Sequence, residues 1–414
     1  MAIVRPFKAV RPSPGHAETI ASLPYDVMNR EEAKAMAEGN PESFLHVVRA
    51  EIDFPDSVDD YDDAVYERGC KRLYEMIEEG IMVQDEMPQF YIYRQLMKGR
   101  VQTGLVATVS VDEYLSNAIK KHEFTRKEKE IDRTRHFDTC NAHTAPIFLT
   151  YRHDENIRRV INDVIKYNDP YADFKTEDDV THIVWVIDDP EIVAKLQSLF
   201  NDVGALYIAD GHHRSASSVN VALKRREAFP DAPKDAEFNY FMAVIFPDDD
   251  LYIMDYNRIV SDLNGMTPDD FLEKLSMLFD VKKVSKAFRP HQKGVMCMYL
   301  DGDWYSVVSP STLFVGLDLV ERLDVSVLQD RVLAPLLGID DPRTNPRIDF
   351  VGGIRGLDEL KRRVDKEGGV AFAMCPPTID DLFDIADAEM IMPPKSTWFE
   401  PKLRSGLFVH LLSD

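Results

Sequence analysis

The chain has 414 residues, more than a single hydrophobic core usually holds, so two or three structural units are expected. Apolar residues make up 44% and charged residues 29%, as in an ordinary soluble globular protein. The net charge of −23 argues against broad, non-specific DNA binding and against an anionic membrane surface. It leaves room for a local basic pocket that binds an anion.

The sequence also argues against several classes of protein and site. The N-terminus has no signal-peptide pattern and no apolar run approaches membrane-spanning length, so we expect a cytoplasmic protein without a membrane partner. The 4 cysteines lie far apart without a Cys-x-x-Cys pair, so neither a structural zinc site nor a disulfide framework is expected. The motifs of P-loop proteins, serine hydrolases, zincins and dinucleotide-binding folds are absent.

The first 200 residues predict alternating helices and strands. Helices are predicted over residues 30–38, 59–80, 155–167 and 190–200, and strands over residues 44–48, 89–97, 101–111, 147–150 and 182–187. Among the connections, Leu23-Pro24-Tyr25-Asp26-Val27 stands out. Asp26 there is either a plain turn former or a carboxylate held firmly at a site.

Residues 120–133 form a dense charged stretch. Pairs of opposite charge four residues apart fit a solvated charged helix. Basic residues would also form one helical stripe, at steps of four, three and four residues: His122, Arg126, Lys129 and Arg133. Like charges at that spacing cost roughly a few tenths of a kcal/mol per pair unless an anion lies against them. We therefore predict that the stripe contacts an anionic ligand, with an acidic segment of the protein itself as the alternative partner.

The stretch Asp210-Gly211-His212-His213-Arg214 carries the strongest functional signal. It follows an apolar run, residues 205–209, that is typical of a buried strand, and it precedes residues 215–227, whose apolar positions have helical spacing. Gly211 permits a tight turn, and a helix start offers N–H groups and a positive dipole end. Two imidazoles and a guanidinium at that point predict a phosphate-binding turn. The alternative is a turn whose histidines only hydrogen-bond locally.

Beyond residue 240 the sequence predicts the end of the first unit and then a second unit. Hairpins are predicted over residues 240–259 and around Asp301-Gly302, a helix over residues 325–337, a strand–helix–strand unit over residues 349–374 and a last strand over residues 407–412. We place the boundary so that residues 1–263 form an N-terminal α+β unit and residues 264–414 a smaller C-terminal α+β unit. Residues 392–402, rich in proline and aromatics, are either a rigid packed loop or a loop that lines a site, with donors from Lys395, Ser396 and Thr397.

Four motifs together resemble the bacterial and archaeal family catalogued as domain of unknown function 1015. They are Leu23-Pro24-Tyr25-Asp26-Val27, Lys121-His122-Glu123-Phe124-Thr125-Arg126, Ile208-Ala209-Asp210-Gly211-His212-His213-Arg214 and Met392-Pro393-Pro394-Lys395-Ser396-Thr397. The resemblance covers nearly the whole chain, and four long motifs in the right order make it specific.

The central motif is also similar, more distantly, to the nucleotide-phosphate motif of the ParB/sulfiredoxin-like superfamily. Kinases of that group acting on free L-serine carry an Asp-Gly-His-His-Arg string, whereas sulfiredoxins have a cysteine at the position of His212. The kinase form is therefore the better match. The expected fold is α+β, a mixed sheet with flanking helices carrying the ParB/sulfiredoxin-like core motif; the alternating elements over residues 147–227 leave an α/β arrangement as the alternative.

The resemblance implies a phosphotransferase that uses ATP or ADP, with Mg²⁺, to phosphorylate a small hydroxyl compound, free L-serine above all. The implied ligands are a nucleotide and a small-molecule substrate, with no nucleic acid. The alternatives are a nucleotide-binding regulatory protein and a phosphate-ester hydrolase.

Each set of candidate residues has an expected role under this hypothesis. The residues expected to hold nucleotide phosphates are Gly211, His212, His213 and Arg214, with His122, Arg126, Lys129 and Arg133 as further cations. The candidate catalytic carboxylates, one of which could hold Mg²⁺ instead, are Glu123, Asp210 and Asp26. The residues expected to contact the substrate carboxylate are Lys395, Ser396 and Thr397.

Overall fold

A computed structural model describes residues 2–413 of the chain. The strands, numbered in chain order, are β1 (Val4–Arg5), β2 (Val10–Pro12), β3 (Met82–Gln84), β4 (Phe90–Met97), β5 (Arg100–Ser110), β6 (Ile119–Lys120), β7 (Ala142–His143), β8 (Ile147–Tyr151), β9 (Ala172–Lys175), β10 (Thr181–Ile187), β11 (Leu206–Asp210), β12 (Tyr240–Pro247), β13 (Ile253–Met254), β14 (Tyr256–Val260), β15 (Asp280–Val284), β16 (Val295–Leu300), β17 (Asp303–Val308), β18 (Ile348–Gly352), β19 (Val370–Ala373), β20 (Trp398–Phe399) and β21 (His410–Leu411).

The α-helices, numbered in the same way, are α1 (Ala17–Ile20), α2 (Arg30–Ala37), α3 (Leu45–Val48), α4 (Asp63–Glu78), α5 (Val111–Leu115), α6 (Lys127–Cys140), α7 (Glu155–Tyr167), α8 (Pro190–Asn201), α9 (His212–Ala228), α10 (Pro268–Ser276), α11 (Asp324–Leu328), α12 (Leu357–Glu367) and α13 (Ile379–Asp387). Within residues 2–413, no helix combines the length and apolar character needed to cross a bilayer.

The described residues form two compact units. The first comprises residues 2–121, 125–251 and 401–413, and the second comprises residues 122–124 and 252–400. The boundary predicted from the sequence, between residues 263 and 264, assigns residues 401–413 to the second unit, whereas the structure assigns them to the first. They belong to the first unit because β21 pairs with β7, and such a long-range pairing leaves no local signal in the sequence.

The first unit is built on a nine-stranded mixed sheet in the order β6-β11-β8-β12-β5-β4-β10-β9, with β1 added beside β5. Its central strand β12 pairs in parallel with β8 and antiparallel with β5. Apolar side chains from these strands and from α7, α8 and α9 form its largest core cluster. This arrangement confirms the expected α+β fold with a mixed sheet and flanking helices.

Side chains fix the starts of several helices in the first unit. Asn29 and Glu32 form a reciprocal capping box at α2. Asp154 caps α7, and Asp189 caps α8 in front of a proline in its first turn. These local signals explain why the observed helices agree with the predicted ones to within a few residues.

The second unit contains a six-stranded antiparallel sheet in the order β15-β17-β16-β19-β14-β18. The hairpin predicted around Asp301-Gly302 is present as β16 and β17, and the strand–helix–strand prediction corresponds to β18, α12 and β19. Apolar side chains of α12 cover one face of this sheet. The helix predicted over residues 325–337 is present as α11 followed by a π-helical turn.

Two predicted elements were wrong. Residues 44–48 are not a strand, because Leu45–Val48 form the short helix α3 inside an apolar cluster, and a short apolar run does not distinguish a buried strand from a buried helix. The hairpin over residues 240–259 is not formed either. β12 joins the sheet of the first unit and β14 joins the sheet of the second, so the acidic connection at residues 248–250 links two sheets rather than two paired strands.

Candidate functional site

The central motif occupies the turn between a strand and a helix, as the sequence predicts. β11 ends at Asp210, and α9 begins at His212. The pairing of β11 with β8 shifts register between Ile208 and Asp210, and such a bulge re-aims the side chain that follows it. Gly211 precedes α9 with φ 96°, in the left-handed region that favours glycine.

The start of α9 differs from the capped helices of the same unit. Within residues 2–413, no side chain caps its first turn. The first N–H groups of an α-helix lack partners inside the helix and carry the positive end of its dipole. The turn after β11 therefore presents a helix start suited to an anion.

Arg214 brings a buried positive charge to this turn. The residue is 3% exposed, and its guanidinium donates to the carbonyl oxygen of Pro146. Its Nη2 lies 4.0 Å from Oδ1 of Asp210, which is the longest distance at which the two groups count as an ion pair. Its buried Nε has no hydrogen-bond acceptor in the described part of the chain. A buried donor without an acceptor costs roughly 1–3 kcal/mol, so this position is unfavourable unless a further acceptor is supplied.

Asp210 is held ionised by a lysine that sequence reasoning missed. Nζ of Lys402 lies 2.7 Å from its Oδ2. Burial works against ionisation, but Lys402 and then Arg214 outweigh it and hold the pKa of Asp210 well below its usual range. A carboxylate so firmly ionised is a weak base, and it is better suited to orienting cations than to accepting a proton.

Replacing Lys402 by methionine is expected to lower the free energy of unfolding by about 2 kcal/mol at pH 7, since Asp210 loses a charge-assisted hydrogen bond. The folded pKa of Asp210 is depressed, so the stabilisation is fully present above the unfolded pKa of about 3.9 and is lost as the pH falls towards the folded value. The difference between variant and wild type should therefore shrink in acid.

Urea unfolding at pH 7 and at about pH 3.5 measures this difference, and Lys195→Met, which removes an exposed lysine of α8, is the matched control. Equal stability of Lys402→Met and wild type at pH 7, or a deficit that does not change with pH, would contradict the assignment.

The second histidine of the motif is an acceptor in this structure. Nε2 of His213 accepts a hydrogen bond of 3.0 Å from the backbone N–H of Arg126. The side chain therefore ties the start of α9 to the segment before α6. His212 is buried.

The basic stripe predicted over residues 122–133 does not form one helical face. α6 begins only at Lys127, with Arg126 as its N-cap and His122 outside the helix. The backbone of Arg126 is extended, with φ −93° and ψ 127°, so the helix does not continue back towards His122.

The two helical members of that stripe have different surroundings. Nζ of Lys129 donates to the Tyr61 hydroxyl at 3.0 Å on the exposed side. Arg133 is buried, pairs with Asp132 at 3.0 Å and lies 4.1 Å from the centre of the Tyr25 ring. The charge of Arg133 is thus neutralised inside the protein.

The Pro-Tyr-Asp turn of the first unit comes within electrostatic reach of the motif. Burial, followed by Asp26, raises the pKa of Tyr25, while Arg133 and Arg214 act in the opposite direction. Tyr25 is buried and Asp26 is exposed. The turn therefore places Tyr25 within electrostatic reach of Arg214, next to the exposed Asp26 in the chain.

The other candidate residues belong to the second unit. His122 is buried, and its carbonyl oxygen accepts from the N–H of Met392 at 2.8 Å. Glu123 follows it in the same short segment. In the loop after residue 392, the Ser396 hydroxyl donates to the carbonyl of Pro393 at 2.6 Å, and Lys395 is exposed with φ 59°.

Sequence reasoning missed two cations of the structure. Lys402 lies next to Pro401 in a stretch that the sequence did mark as unusual, but nothing in that stretch identifies Asp210 as its partner. Strand β14 contains a single charged residue, Arg258, and its other residues are uncharged. A lone arginine in a buried strand was the available signal for it.

The family model described as a protein of unknown function, DUF1015, matches residues 4–326. The chain belongs to this family. Membership was the expectation from the four motifs, and it is confirmed. Among curated proteins, none matches this DUF1015 chain.

Several solved structures have some similarity to the DUF1015 chain. A free serine kinase in complex with AMP has 12% identity and a TM-score of 0.35, covering 71% of this chain and 86% of that chain. A conserved hypothetical protein from Pyrococcus furiosus has 14% identity and a TM-score of 0.36, covering 74% and 95%. SbnI with a C-terminal truncation, from Staphylococcus aureus, has 10% identity and a TM-score of 0.39, covering 74% and 87%.

Proposed function

We propose that this protein transfers a phosphoryl group from ATP or ADP to the hydroxyl of free L-serine, giving O-phospho-L-serine. The observation that carries the proposal is Arg214, whose buried guanidinium lies at the start of α9 and keeps a donor without an acceptor in the described part of the chain. Phosphoryl transfer depends mainly on positioning and on neutralising phosphate charge. A buried guanidinium at an uncapped helix start supplies both.

The nucleotide phosphates are proposed to bind at the turn after β11. The backbone N–H groups of Gly211, His212 and His213 face the phosphate oxygens, and Arg214 neutralises their charge. Arg126 and Lys129 are the proposed further cations, because both side chains reach the protein surface. Arg133 is paired with Asp132, so it is proposed to support the phosphate site through its contact with the Tyr25 ring and not by a direct charge.

In the proposed reaction the serine hydroxyl oxygen attacks the terminal phosphorus while the bond from that phosphorus to the bridging oxygen breaks. The hydroxyl proton passes to a carboxylate, for which we propose Glu123, because Asp210 is too weak a base. The carboxylates of Asp210 and Asp26 offer the oxygen ligands that Mg²⁺ prefers, and Mg²⁺ neutralises phosphate charge when bound. The loop with Lys395, Ser396 and Thr397 is proposed to contact the acceptor, and His122 is proposed to contact the phosphates.

Replacing Glu123 by glutamine is expected to lower phosphoserine formation about a hundredfold or more, the usual contribution of a general base. Nucleotide binding should persist, since the proposed phosphate contacts are elsewhere. Glu273→Gln, an exposed change on α10, is the matched control. Normal turnover by Glu123→Gln would remove this residue from the mechanism.

The proposed function is tested by incubating the protein with ATP or ADP labelled in the terminal phosphate, Mg²⁺ and a panel of amino acids and polyols. Labelled phosphoserine supports the kinase. Free labelled phosphate alone would indicate a phosphate-ester hydrolase, and tightly bound, unreacted nucleotide would indicate a regulatory protein. Either of these last two outcomes would refute the proposal.

A further inference from the structure

A second buried arginine lies in the six-stranded sheet of the second unit. Arg258 is in β14, opposite Phe372 of β19 and Phe350 of β18. The residue is 3% exposed, and its guanidinium carbon lies 5.4 Å from the centre of the Phe350 ring. The charge is therefore surrounded by aromatic and backbone groups inside a sheet.

Arg258 differs from the other buried arginines in its partners. The buried arginines with a carboxylate within 4.0 Å are Arg72, Arg133, Arg214 and Arg404. Arg258 has no such carboxylate among residues 2–413, and its guanidinium donates only to the backbone carbonyls of Tyr256 and, at 3.1 Å, of Lys395. Arginine has five N–H donors, so two carbonyl oxygens leave donors for an anion.

The absence of a carboxylate partner is costly. Burial lowers the pKa of Arg258 to about 10, and Tyr256 acts in the opposite direction. A buried charge is normally paired, because desolvation without a counter-charge is strongly unfavourable. The carboxylate nearest in sequence, Asp255, is engaged by Arg289 at 2.8 Å and by the side chain of Asn257.

The loop residue whose carbonyl contacts Arg258 is itself a lysine in a strained backbone conformation. The residue whose carbonyl receives the guanidinium, Lys395, has φ 59°, a conformation that a side chain makes unfavourable. The ammonium of Lys395 lies 5.6 Å from the centre of the Tyr256 ring. Tyr256 is two residues before Arg258 and is on the same face of β14. Strain of this kind and unpaired buried charge both concentrate at functional sites.

We propose that Arg258 and Lys395 bind the carboxylate of a small acid. The planar fork of a guanidinium matches a carboxylate with two parallel hydrogen bonds, and the ammonium adds a second positive charge. The identity of the acid rests on the proposed function, under which it is the acceptor L-serine. Arg258 then selects an acceptor that carries a free carboxylate over an alcohol or amide of the same shape.

Calorimetric binding in the presence of unlabelled AMP tests this assignment with L-serine, L-serinamide and inorganic phosphate as probes. Wild type is expected to bind L-serine about thirtyfold more tightly than L-serinamide, the range of a charge-assisted hydrogen bond. Arg258→Met should bind both equally weakly, and Arg258→Lys should recover part of the preference. Arg362→Met, an exposed arginine of α12, is the matched control, and thermal unfolding reports whether each variant folds.

The outcomes separate this inference from the proposed function. An Arg258→Met variant that folds and keeps the wild-type preference for L-serine would show that the arginine is only structural and overturn the inference. Phosphate binding that depends on Arg258, without binding of L-serine, would also overturn the carboxylate assignment. Wild type could show no phosphorylation and still bind small carboxylic acids, such as L-serine or glycerate, in an Arg258-dependent manner. In that case the carboxylate site stands and the proposed function fails. If no acid binds in that manner, the site fails whatever the turnover.

Discussion

Replacing Arg214 by alanine is expected to weaken nucleotide binding and to lower nucleotide-dependent phosphoserine formation by about 10²–10³-fold each. The guanidinium is the buried cation of the turn, and its Nε has no acceptor in the part of the chain that the structure describes. Its loss leaves bound phosphates without their main counter-charge. Calorimetric titration with ADP and a phosphoserine assay measure the two effects.

Two further variants show whether this loss is specific. Arg214→Lys keeps the charge but not the planar fork, so it should recover only part of the binding. Arg226→Ala removes an arginine at the other end of α9, where it bonds to Asn239 at 2.7 Å, and should leave binding unchanged. Near-normal binding and turnover in a folded Arg214→Ala variant would refute the phosphate site.

The sequence was sufficient to predict the turn that carries this arginine, because every signal for it is local. An apolar run predicts β11, helical spacing predicts α9, and Gly211 between them predicts the tight connection. The same holds for α7 and α8, whose aspartate caps are adjacent to the helices that they start. Local signals were therefore enough to predict the strand, the glycine turn and the helix that form the motif.

The partners of the motif could not be predicted, because they are distant in sequence. Lys402 is 192 residues from Asp210, and the carbonyl of Pro146 is 68 residues from Arg214. The helical stripe failed for a different reason. Its spacing was read as an uninterrupted helix, whereas the backbone of Arg126 is extended and α6 begins only at Lys127.

The charge states at the motif also lay beyond sequence reasoning. Two imidazoles and a guanidinium predicted a phosphate-binding turn, but the sequence did not show that Nε2 of His213 accepts the N–H of Arg126. Asp210, in contrast, is a firmly ionised group because of Lys402. Because Lys402 is paired with Asp210, the proposed anion site depends mainly on the position of the Arg214 guanidinium.

Replacing Gly211 by alanine tests that dependence without removing any charge. The backbone of Gly211 has φ 96°, and an added Cβ would lie 3.2 Å from Cζ, Nε and Nη2 of Arg214. We expect a loss of about 1–2 kcal/mol in the free energy of unfolding, from backbone strain. Because the methyl group presses on the guanidinium, we also expect ADP binding at least about tenfold weaker, with all charged residues still present.

The matched control is Gly204→Ala, in the same unit, where an added Cβ meets nothing within 4 Å. Binding of ADP by each folded variant, measured well below its melting temperature, separates displacement of Arg214 from general destabilisation. If Gly211→Ala loses stability but binds ADP like wild type, the exact position of the Arg214 guanidinium does not control phosphate binding. If it loses binding while Arg214→Lys retains part of it, the position of the guanidinium matters more than its exact shape, as a site that works by neutralising phosphate charge at a helix start requires.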